Sequence, residues 1–193
     1  MTQIKKAEIH NAILESAMRQ FVKHGYSQTT LTHIAAGAKV TVSNIYNYFG
    51  SKLDIIYAIY EPWLIEHLDH LTAKIEKGST PKEQLRIIIL AILRDIPSEE
   101  NGFANNALQA IATKNANETY SRALLLRSEA MISTLLRKAL PKERQWVIDN
   151  DLLPHLLFMA FDGFVINYKL NGPSQRVEAI ADMICDLLVG ERN

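Results

Sequence analysis

The sequence predicts an all-α protein. Apolar residues recur at spacings of three and four almost throughout the 193 residues, and no stretch shows sustained apolar–polar alternation bounded by hairpin turns. Only 8 Gly and 6 Pro interrupt this pattern. A chain of this length with 48% apolar residues can bury a substantial core. That excludes a disordered protein and a small scaffold that depends on disulfides.

The cysteine content and the short apolar runs indicate the compartment. Cys185 is the single cysteine, which excludes an intrachain disulfide and a multi-cysteine metal site, so a reducing cytoplasm is expected. The longest uninterrupted apolar run, Ile87–Leu93, is far shorter than the roughly 20 residues that span a bilayer. Met1–Ala7 is polar, unlike a signal peptide. We therefore expect neither secretion nor a membrane partner.

The charges are unevenly distributed, although 21 Lys and Arg balance 21 Asp and Glu. Residues 1–52 contain six Lys or Arg and two Glu, a net charge of +4, so residues 53–193 carry −4. A neutral total normally argues against a nucleic-acid partner. The basic N-terminal segment nevertheless has the local charge that phosphate binding requires.

Helix periodicity and end signals divide the chain into helical segments. The first part is predicted to contain helices over residues 4–24, 31–37, 42–48 and 52–77. Gly25 stands where a left-handed residue ends a helix, Thr30 and Thr41 are suited to N-capping, and Pro62 should kink or divide the fourth helix.

Further helices are predicted over residues 81–96, 103–113, 118–140, 142–170 and 174–189, with a break near 150–154. Thr80 caps the first of these, Pro81 occupies its first position and Glu83 completes a capping box. That helix is apolar on nearly every side, which is typical of the centre of a bundle. Pro141 and Gly190 end later helices.

Two short helices behind a long first helix, within the basic segment, have the geometry of a helix-turn-helix. Its inner face would be apolar: Ile34, Ala35, Ala38, Val40 and Ile45. Its outer face would carry side chains that reach base edges in the major groove: Val42, Ser43, Asn44, Tyr46 and Asn47.

A run of residues at fixed spacing covers roughly the first quarter of the chain. It comprises Ile13-Leu14-Glu15-Ser16-Ala17 with Phe21 and Gly25, then Thr29-Thr30, Ile34-Ala35, Ala38-Lys39-Val40-Thr41 and Ile45-Tyr46-Asn47-Tyr48-Phe49-Gly50-Ser51-Lys52. This run resembles the DNA-binding domain of TetR-family transcriptional regulators. The resemblance implies a three-helix helix-turn-helix domain over residues 1–52, followed by a helical ligand-binding and dimerisation domain over residues 53–193.

The resemblance also implies which residues contact double-stranded operator DNA. Thr30 and Lys52 would contact phosphates from the starts of their helices, and Tyr48 would join them through its hydroxyl. The expected DNA-facing set also includes Lys39, Thr41, Val42, Ser43, Asn44, Tyr46 and Asn47, whereas Phe49 is expected in the core. Where the family often has Gly, this chain has Lys39 and Ser43. Lys39 should therefore adopt a left-handed backbone conformation at some strain.

The last two long helices have apolar residues on more than one side. The first has a stripe of Leu153, Leu156, Leu157, Ala160, Phe161, Phe164 and Val165, with Leu152, Met159 and Ile166 off it. The second has Val177, Ile180, Ala181, Ile184 and Leu188. An intrachain core accounts for one stripe on each helix. The family resemblance implies a homodimer through these two helices, which matches a two-fold symmetric operator.

The resemblance further implies a pocket for a small-molecule effector. Candidates for its wall combine aromatic surface with a few polar groups: Tyr60, Trp63, Phe103, Asn106, Gln109, Phe158 and Asp162. For each of these residues, core packing or solvent exposure is the competing interpretation.

Enzymatic chemistry has little support in the sequence. His67 and His70, near Glu66 and Asp69, have the spacing of a metal half-site, but a solvated charged face explains them better. There is no nucleophile elbow and no phosphate-binding Gly loop. We expect a ligand-released repressor that is not an enzyme and has no metal or cofactor. The alternative is a helical small-molecule-binding or enzymatic protein whose N-terminal motif no longer reads DNA.

Overall fold

The computed structural model describes residues 3–100, 102–114 and 122–190, and these residues form helices and turns without strands. The α-helices are α1 Gln3–Gln28, α2 Leu31–Ala38, α3 Val42–Tyr46, α4 Lys52–Ile75, α5 Pro81–Leu90, α6 Phe103–Ala112, α7 Ala123–Ala139, α8 Leu152–Asn171 and α9 Val177–Val189. The all-α prediction is confirmed. No helix in these described ranges is long and apolar enough to cross a bilayer.

Most predicted helix ends lie within a few residues of the observed ones, and the capping signals are confirmed. Thr30, Thr41 and Thr80 are N-caps whose side chains accept the N–H of the third helical residue. Glu83 closes the capping box that begins at Thr80. Gly190 ends α9 in the left-handed conformation, at φ 83°. The predicted start of the 118–140 helix, residues 118–121, lies outside the described residues.

Two segments differ from the predicted helices. The 81–96 helix ends as an α-helix at Leu90 and continues as a π-helix over Ala91–Asp95. Residues Lys142–Ile148 form a 3-10 helix. The predicted helix end at Gly25 is confirmed: Gly25 is non-helical at φ 77° and ψ 163°, and the residues up to Gln28 form a second helical segment beyond this kink. α4 runs through Pro62 without being divided.

The chain divides into two compact units, the head unit (residues 1–63 and 101–120) and the body unit (residues 64–100 and 121–193). The head unit therefore contains more of the chain than residues 1–52. Its buried core is made by α1, α2, α3, the first part of α4 and α6: Ile13, Ala17, Phe21, Tyr26, Ile34, Ala35, Ile45, Phe49, Leu53, Ile55, Ile56 and Ala110.

α6 belongs to the head unit because it is bonded to the end of α1. The buried Asn106 amide accepts the Tyr26 N–H at 2.8 Å and donates to the Phe21 carbonyl at 3.2 Å. Gln109 accepts from the Ser27 hydroxyl at 3.2 Å. These bonds flank Gly25, where the helical hydrogen-bond ladder of α1 is broken and backbone groups need other partners.

α1 and α2 approach each other closely at a glycine. A Cβ on Gly37 would lie 2.3 Å from the Ser16 hydroxyl oxygen, so no larger residue fits without a shift. The same Ser16 hydroxyl is fully buried and donates to the Ile34 carbonyl at 2.8 Å. The close approach at Gly37 and the Ser16–Ile34 hydrogen bond together hold α2, the first helix of the helix-turn-helix, against α1.

The body unit is built around α5, whose Leu85, Ile88 and Ile89 are fully buried, as its apolar sequence predicts. α5 and the π-helix are tied to α9 by ion pairs. Arg86 bonds Asp182 at 2.6 Å and also contacts Glu178, which in turn contacts Arg94. Lys82 pairs with Asp186. The buried faces of α8 and α9 are Leu157, Phe161 and Val165, and Val177, Ala181, Cys185 and Leu188.

Candidate functional site

The predicted outer face of α3 is accessible while its inner face is buried. Ile45 is 1% exposed and anchors α3 in the head-unit core, whereas Tyr46 is 57% exposed on the opposite side. Thr41, Ser43 and Asn47 are exposed, and Val42 and Asn44 are half-buried. A short helix anchored by the buried Ile45, with Val42 packed against the same core, thus presents hydroxyl, amide and phenol groups outward, which are groups that can read base edges.

The two N-capping threonines use their hydroxyl oxygens to begin α2 and α3. Thr30 Oγ1 accepts the His33 N–H at 3.2 Å, and Thr41 Oγ1 accepts the Asn44 N–H at 3.1 Å. Both side chains are exposed. Because a hydroxyl both accepts and donates, each retains an O–H that can donate to a phosphate oxygen.

Lys39 links the two helices in the left-handed conformation, at φ 56° and ψ 40°, as the missing family glycine predicts. Its N–H bonds back to the last carbonyls of α2, and its side chain is exposed. A non-glycine residue is strained in this region of backbone space. The strained position keeps a flexible cation at the turn that precedes α3.

Tyr48 and Phe49 pack beside His10 of α1. The Phe49 ring stacks on His10 with centroids 5.0 Å apart and is 7% exposed, so its predicted core position is confirmed. Tyr48 is half-buried, with its ring centroid 6.2 Å from that of His10. Part of Tyr48 therefore serves packing.

Lys52 has protein partners that sequence reasoning missed. Its ammonium group donates to the carbonyls of Tyr26 and Thr29, at 2.8 Å each, and lies 4.0 Å above the centre of the Tyr26 ring. The predicted phosphate ligand is thus held at the C-terminal end of α1. Carbonyls left without helical partners attract cations at such an end, which is the signal that would have found this contact.

The predicted effector residues fall into separate groups. Tyr60, Trp63 and Phe103 form an aromatic cluster in the head unit, with centroid distances of 5.5 Å from Tyr60 to Trp63 and 5.7 Å from Trp63 to Phe103. Asn106 and Gln109 hold the end of α1, as described above.

Phe158 is the predicted residue that lines a cavity within the body unit. This body cavity is small, with a volume of about 10 Å³, enough for one water molecule, and its wall consists of Leu64, Leu68, Ile92, Ile96, Ser128, Ile132, Phe158 and Phe161. Asp162 follows Phe161 on α8 and is half-buried. Burial raises the pKa of Asp162 from 3.8 to about 6.

The residues considered for metal or thiol chemistry have structural partners. His67 Nε2 lies 3.2 Å from Glu99 Oε1. Across the described residues no three His, Cys, Asp or Glu side chains gather as a metal site. Cys185 is fully buried, and burial together with Asp182 raises the pKa of its thiol to about 11. The thiol therefore stays protonated and packs as a small apolar group.

Comparisons with known proteins agree with the arrangement of α2 and α3 described above. The sequence profile "Bacterial regulatory proteins, tetR family" matches residues 13–59, which include α2 and α3. The chain is 26% identical over its whole length to a probable acrEF/envCD operon repressor of Escherichia coli strain K12, covering 92% of that protein.

Two solved structures have the same fold. One is the TetR-family regulator PfmR of Thermus thermophilus, with 25% identity, a TM-score of 0.57 and coverage of 93% of this chain and 99% of that one. The other is FadR of Bacillus subtilis in complex with stearoyl-CoA, with 20% identity, a TM-score of 0.60 and coverage of 95% and 99%. Residues 13–59, with the exposed α3 on a helix-turn-helix core, match the TetR family, and the findings together support a TetR-family DNA-binding transcriptional regulator.

Proposed function

We propose that the protein is a cytoplasmic repressor, without enzymatic activity, that binds operator DNA as a homodimer and is released by a small molecule. The observation that carries the proposal is the exposed polar face of α3 on a buried apolar anchor, Ile45. The net charge of +4 over residues 1–52 supports it, because local positive charge steers a protein toward phosphate.

Base readout is assigned to α3 and phosphate contact to the residues around it. Asn47 and Asn44 have amides suited to adenine edges, and Val42 can pack on a thymine methyl. Ser43 and Tyr46 add hydroxyls on the same helix. Around them, Thr30, Lys39, Thr41 and Tyr48 are assigned to phosphates.

The homodimer is assigned to the exposed apolar sides of α8 and α9. On α8, side chains of 43–75% exposure recur at helical spacing: Leu152, Leu156, Met159, Ile166 and Leu170. On α9, Met183 is 54% and Leu187 70% exposed. Their other sides already face the body core, so a second copy of the chain is the partner that matches a two-fold operator.

The effector is assigned to the body cavity. α4 carries residues of both units, with Leu64 and Leu68 in the cavity wall and Lys52 to Trp63 in the head unit. We infer that an effector shifts the population of conformations and that α4 transmits this effect. The favoured conformation is one in which the two head units no longer fit successive major grooves.

A mobility-shift titration against the DNA that flanks the gene tests the DNA-binding claim. We expect wild type to bind a segment containing an inverted repeat. Asn47→Ala should change the sequence selected from a random pool, whereas the matched change Asn105→Ala on α6 should not. An Asn47→Ala motif identical to the wild-type motif contradicts base readout by Asn47. Absence of any bound segment favours the helical ligand-binding alternative.

A further inference from the structure

The helix-turn-helix begins with a capping box whose third helical residue is a histidine. Thr30 Oγ1 accepts the His33 N–H at 3.2 Å, and the Thr30 N–H donates in return to His33 Nδ1 at 3.4 Å. A capping box ordinarily has Glu or Gln at this position, because a side-chain oxygen accepts the N–H of the N-cap residue. The capping box of α5 follows that rule, with Glu83 accepting the Thr80 N–H at 3.0 Å.

The capping bond determines which nitrogen of the His33 ring has the proton. A backbone N–H can only donate, so Nδ1 must be the acceptor and has no proton in this arrangement. The ring is then neutral, with its proton on Nε2. His33 is exposed, and Nε2 has no partner within the described residues. The capped His33 therefore presents an unused N–H donor at the start of α2.

The start of α2 is suited to an anion. The first N–H groups of a helix have no helical acceptor, and the helix dipole gives this end a partial positive charge. The first turn of α2 contains no acidic residue, whereas that of α5 contains Glu83. Thr30 Oγ1 keeps an O–H that can donate in the same region. Two side-chain donors, from Thr30 and His33, thus lie together at a helix end that has no carboxylate of its own.

We propose that His33 is a further phosphate ligand of the DNA interface, with its neutral Nε2–H donating to the backbone phosphate assigned to Thr30. The inference rests on the proposed function, because it adds one contact to the proposed operator complex. The two capping boxes explain the residue type. A glutamate at position 33 would cap α2 as Glu83 caps α5, but it would place a negative charge against the phosphate. Histidine caps the helix and adds a donor.

Replacement of His33 by glutamate separates the cap from the donor. We expect the full chain with His33→Glu to be as stable as wild type, because the carboxylate keeps the capping box. It should bind the duplex that wild type selects from a random pool about tenfold more weakly or worse. Glu83→Gln changes the charge in the α5 box and retains that cap, so it should leave affinity unchanged. Affinity of His33→Glu within twofold of wild type overturns the proposal.

A scan with methylphosphonate distinguishes a contact from general repulsion. Methylphosphonate replaces one phosphate oxygen by a methyl group and so removes the negative charge. Introduced at one position at a time in the selected duplex, it should weaken wild-type binding about fivefold at the phosphate that His33 contacts. At that same position it should strengthen binding by His33→Glu, because the repulsion is removed. Responses that are alike for the two proteins at every position overturn the proposal.

The salt dependence of binding tests whether the donor is neutral. A neutral N–H displaces no counterion, so His33→Ala should weaken binding about fivefold while the salt slope stays that of wild type. A slope reduced by about 1 would mean an imidazolium contact and overturn the proposal. The sequence motif selected by His33→Ala should be unchanged, since phosphate contacts do not read sequence.

Two outcomes distinguish failure of this inference from failure of the proposed function. If wild type selects no duplex at all, the proposed DNA binding is overturned, and the His33 contact with it. If wild type binds its duplex and the His33 variants bind equally well, only the His33 contact is overturned. Thermal melts establish that each variant is folded.

Discussion

At the scale of single residues, the contacts of Lys52 distinguish two roles for this side chain, a phosphate contact and a structural one. Sequence resemblance assigns it to a phosphate, whereas in the structure its ammonium bonds the carbonyls of Tyr26 and Thr29 and covers the Tyr26 ring. Charge-assisted hydrogen bonds and a cation–π contact hold such a group firmly. These contacts favour a role for Lys52 in positioning the end of α1 beside the start of α2.

Replacement of Lys52 by methionine should lower the free energy of unfolding by about 2 kcal/mol, because two carbonyls lose a charged donor. The salt dependence of DNA binding should stay within experimental error of wild type. Denaturant melts and binding titrations at several salt concentrations measure both. Lys23→Met, an exposed lysine on α1, is the stability control. A salt slope reduced by about 1 with unchanged stability would instead establish the phosphate contact.

Asp162 is a second residue whose surroundings determine its role, here through its pKa and its effect on stability. Burial raises its pKa to about 6, so the folded state holds the proton more tightly than the unfolded state does. The protonated form of Asp162 therefore makes its full contribution to the free energy of unfolding below the unfolded pKa of 3.8. This contribution is lost as the pH rises through 6. At pH 7 the half-buried carboxylate destabilises the fold.

Asp162→Asn should accordingly raise the melting temperature at pH 7 and flatten the dependence of stability on pH between 4 and 6. Thermal melts across that pH range measure both effects. The matched exposed change Asp69→Asn should alter neither. A variant less stable than wild type at pH 7 would show that the Asp162 carboxylate has a favourable partner.

At the scale of elements, the packing of α1 on α2 depends on one glycine facing one serine. A glycine within a helix lowers helix propensity, so its presence at position 37 indicates a close approach. The Ser16 hydroxyl fills the space that a Gly37 side chain would need. The sequence contained this signal, but not the identity of the facing residue, which depends on the crossing of the two helices.

Gly37→Ala should destabilise the protein by about 1–3 kcal/mol through overpacking, despite the better helix propensity of alanine. In a Ser16→Ala background the nearest atom is the residue 16 Cβ, at 3.4 Å, and the same change should be nearly neutral. Chemical denaturation of the four proteins of this double-mutant cycle measures the coupling. Equal costs of Gly37→Ala in both backgrounds would refute the close approach.

Local signals predicted the helix starts well and the irregular turns poorly. Thr30, Thr41, Thr80 and Pro81 determine helix starts through their own side chains, so the sequence sufficed. The π turn at Ala91–Asp95 begins inside the apolar run Ile87–Leu93 and contains neither Gly nor Pro. Tertiary packing selects such a turn, and periodicity does not reveal it.

At the scale of the whole molecule, units are assembled from segments distant in sequence. α6 was predicted to contribute to an effector pocket, yet Asn106 bonds Tyr26 and Phe21, 80 and 85 residues away. For the same reason the body cavity could not be predicted residue by residue. Phe158 was among the predicted residues, whereas Ser128 and the π-helix residues Ile92 and Ile96 were not.

The exposed apolar side of α8 leads to a prediction about assembly. Leu156→Glu should convert the proposed dimer to a monomer, because a two-fold interface would bury the new charge twice. Leu126→Glu on α7, at an apolar residue that is 55% exposed against 63% for Leu156, is the matched control and should remain dimeric. Sedimentation equilibrium distinguishes the states. An unchanged mass for Leu156→Glu would place the interface elsewhere.

The proposed function requires that the head unit reads DNA sequence as one half of a symmetric pair. Selection of bound duplexes from a random pool with the full chain tests this most directly. We predict enrichment of a single motif with inverted-repeat symmetry, whose half-sites change when Asn47 is replaced. A pool that remains unenriched after repeated rounds with folded protein would contradict the account.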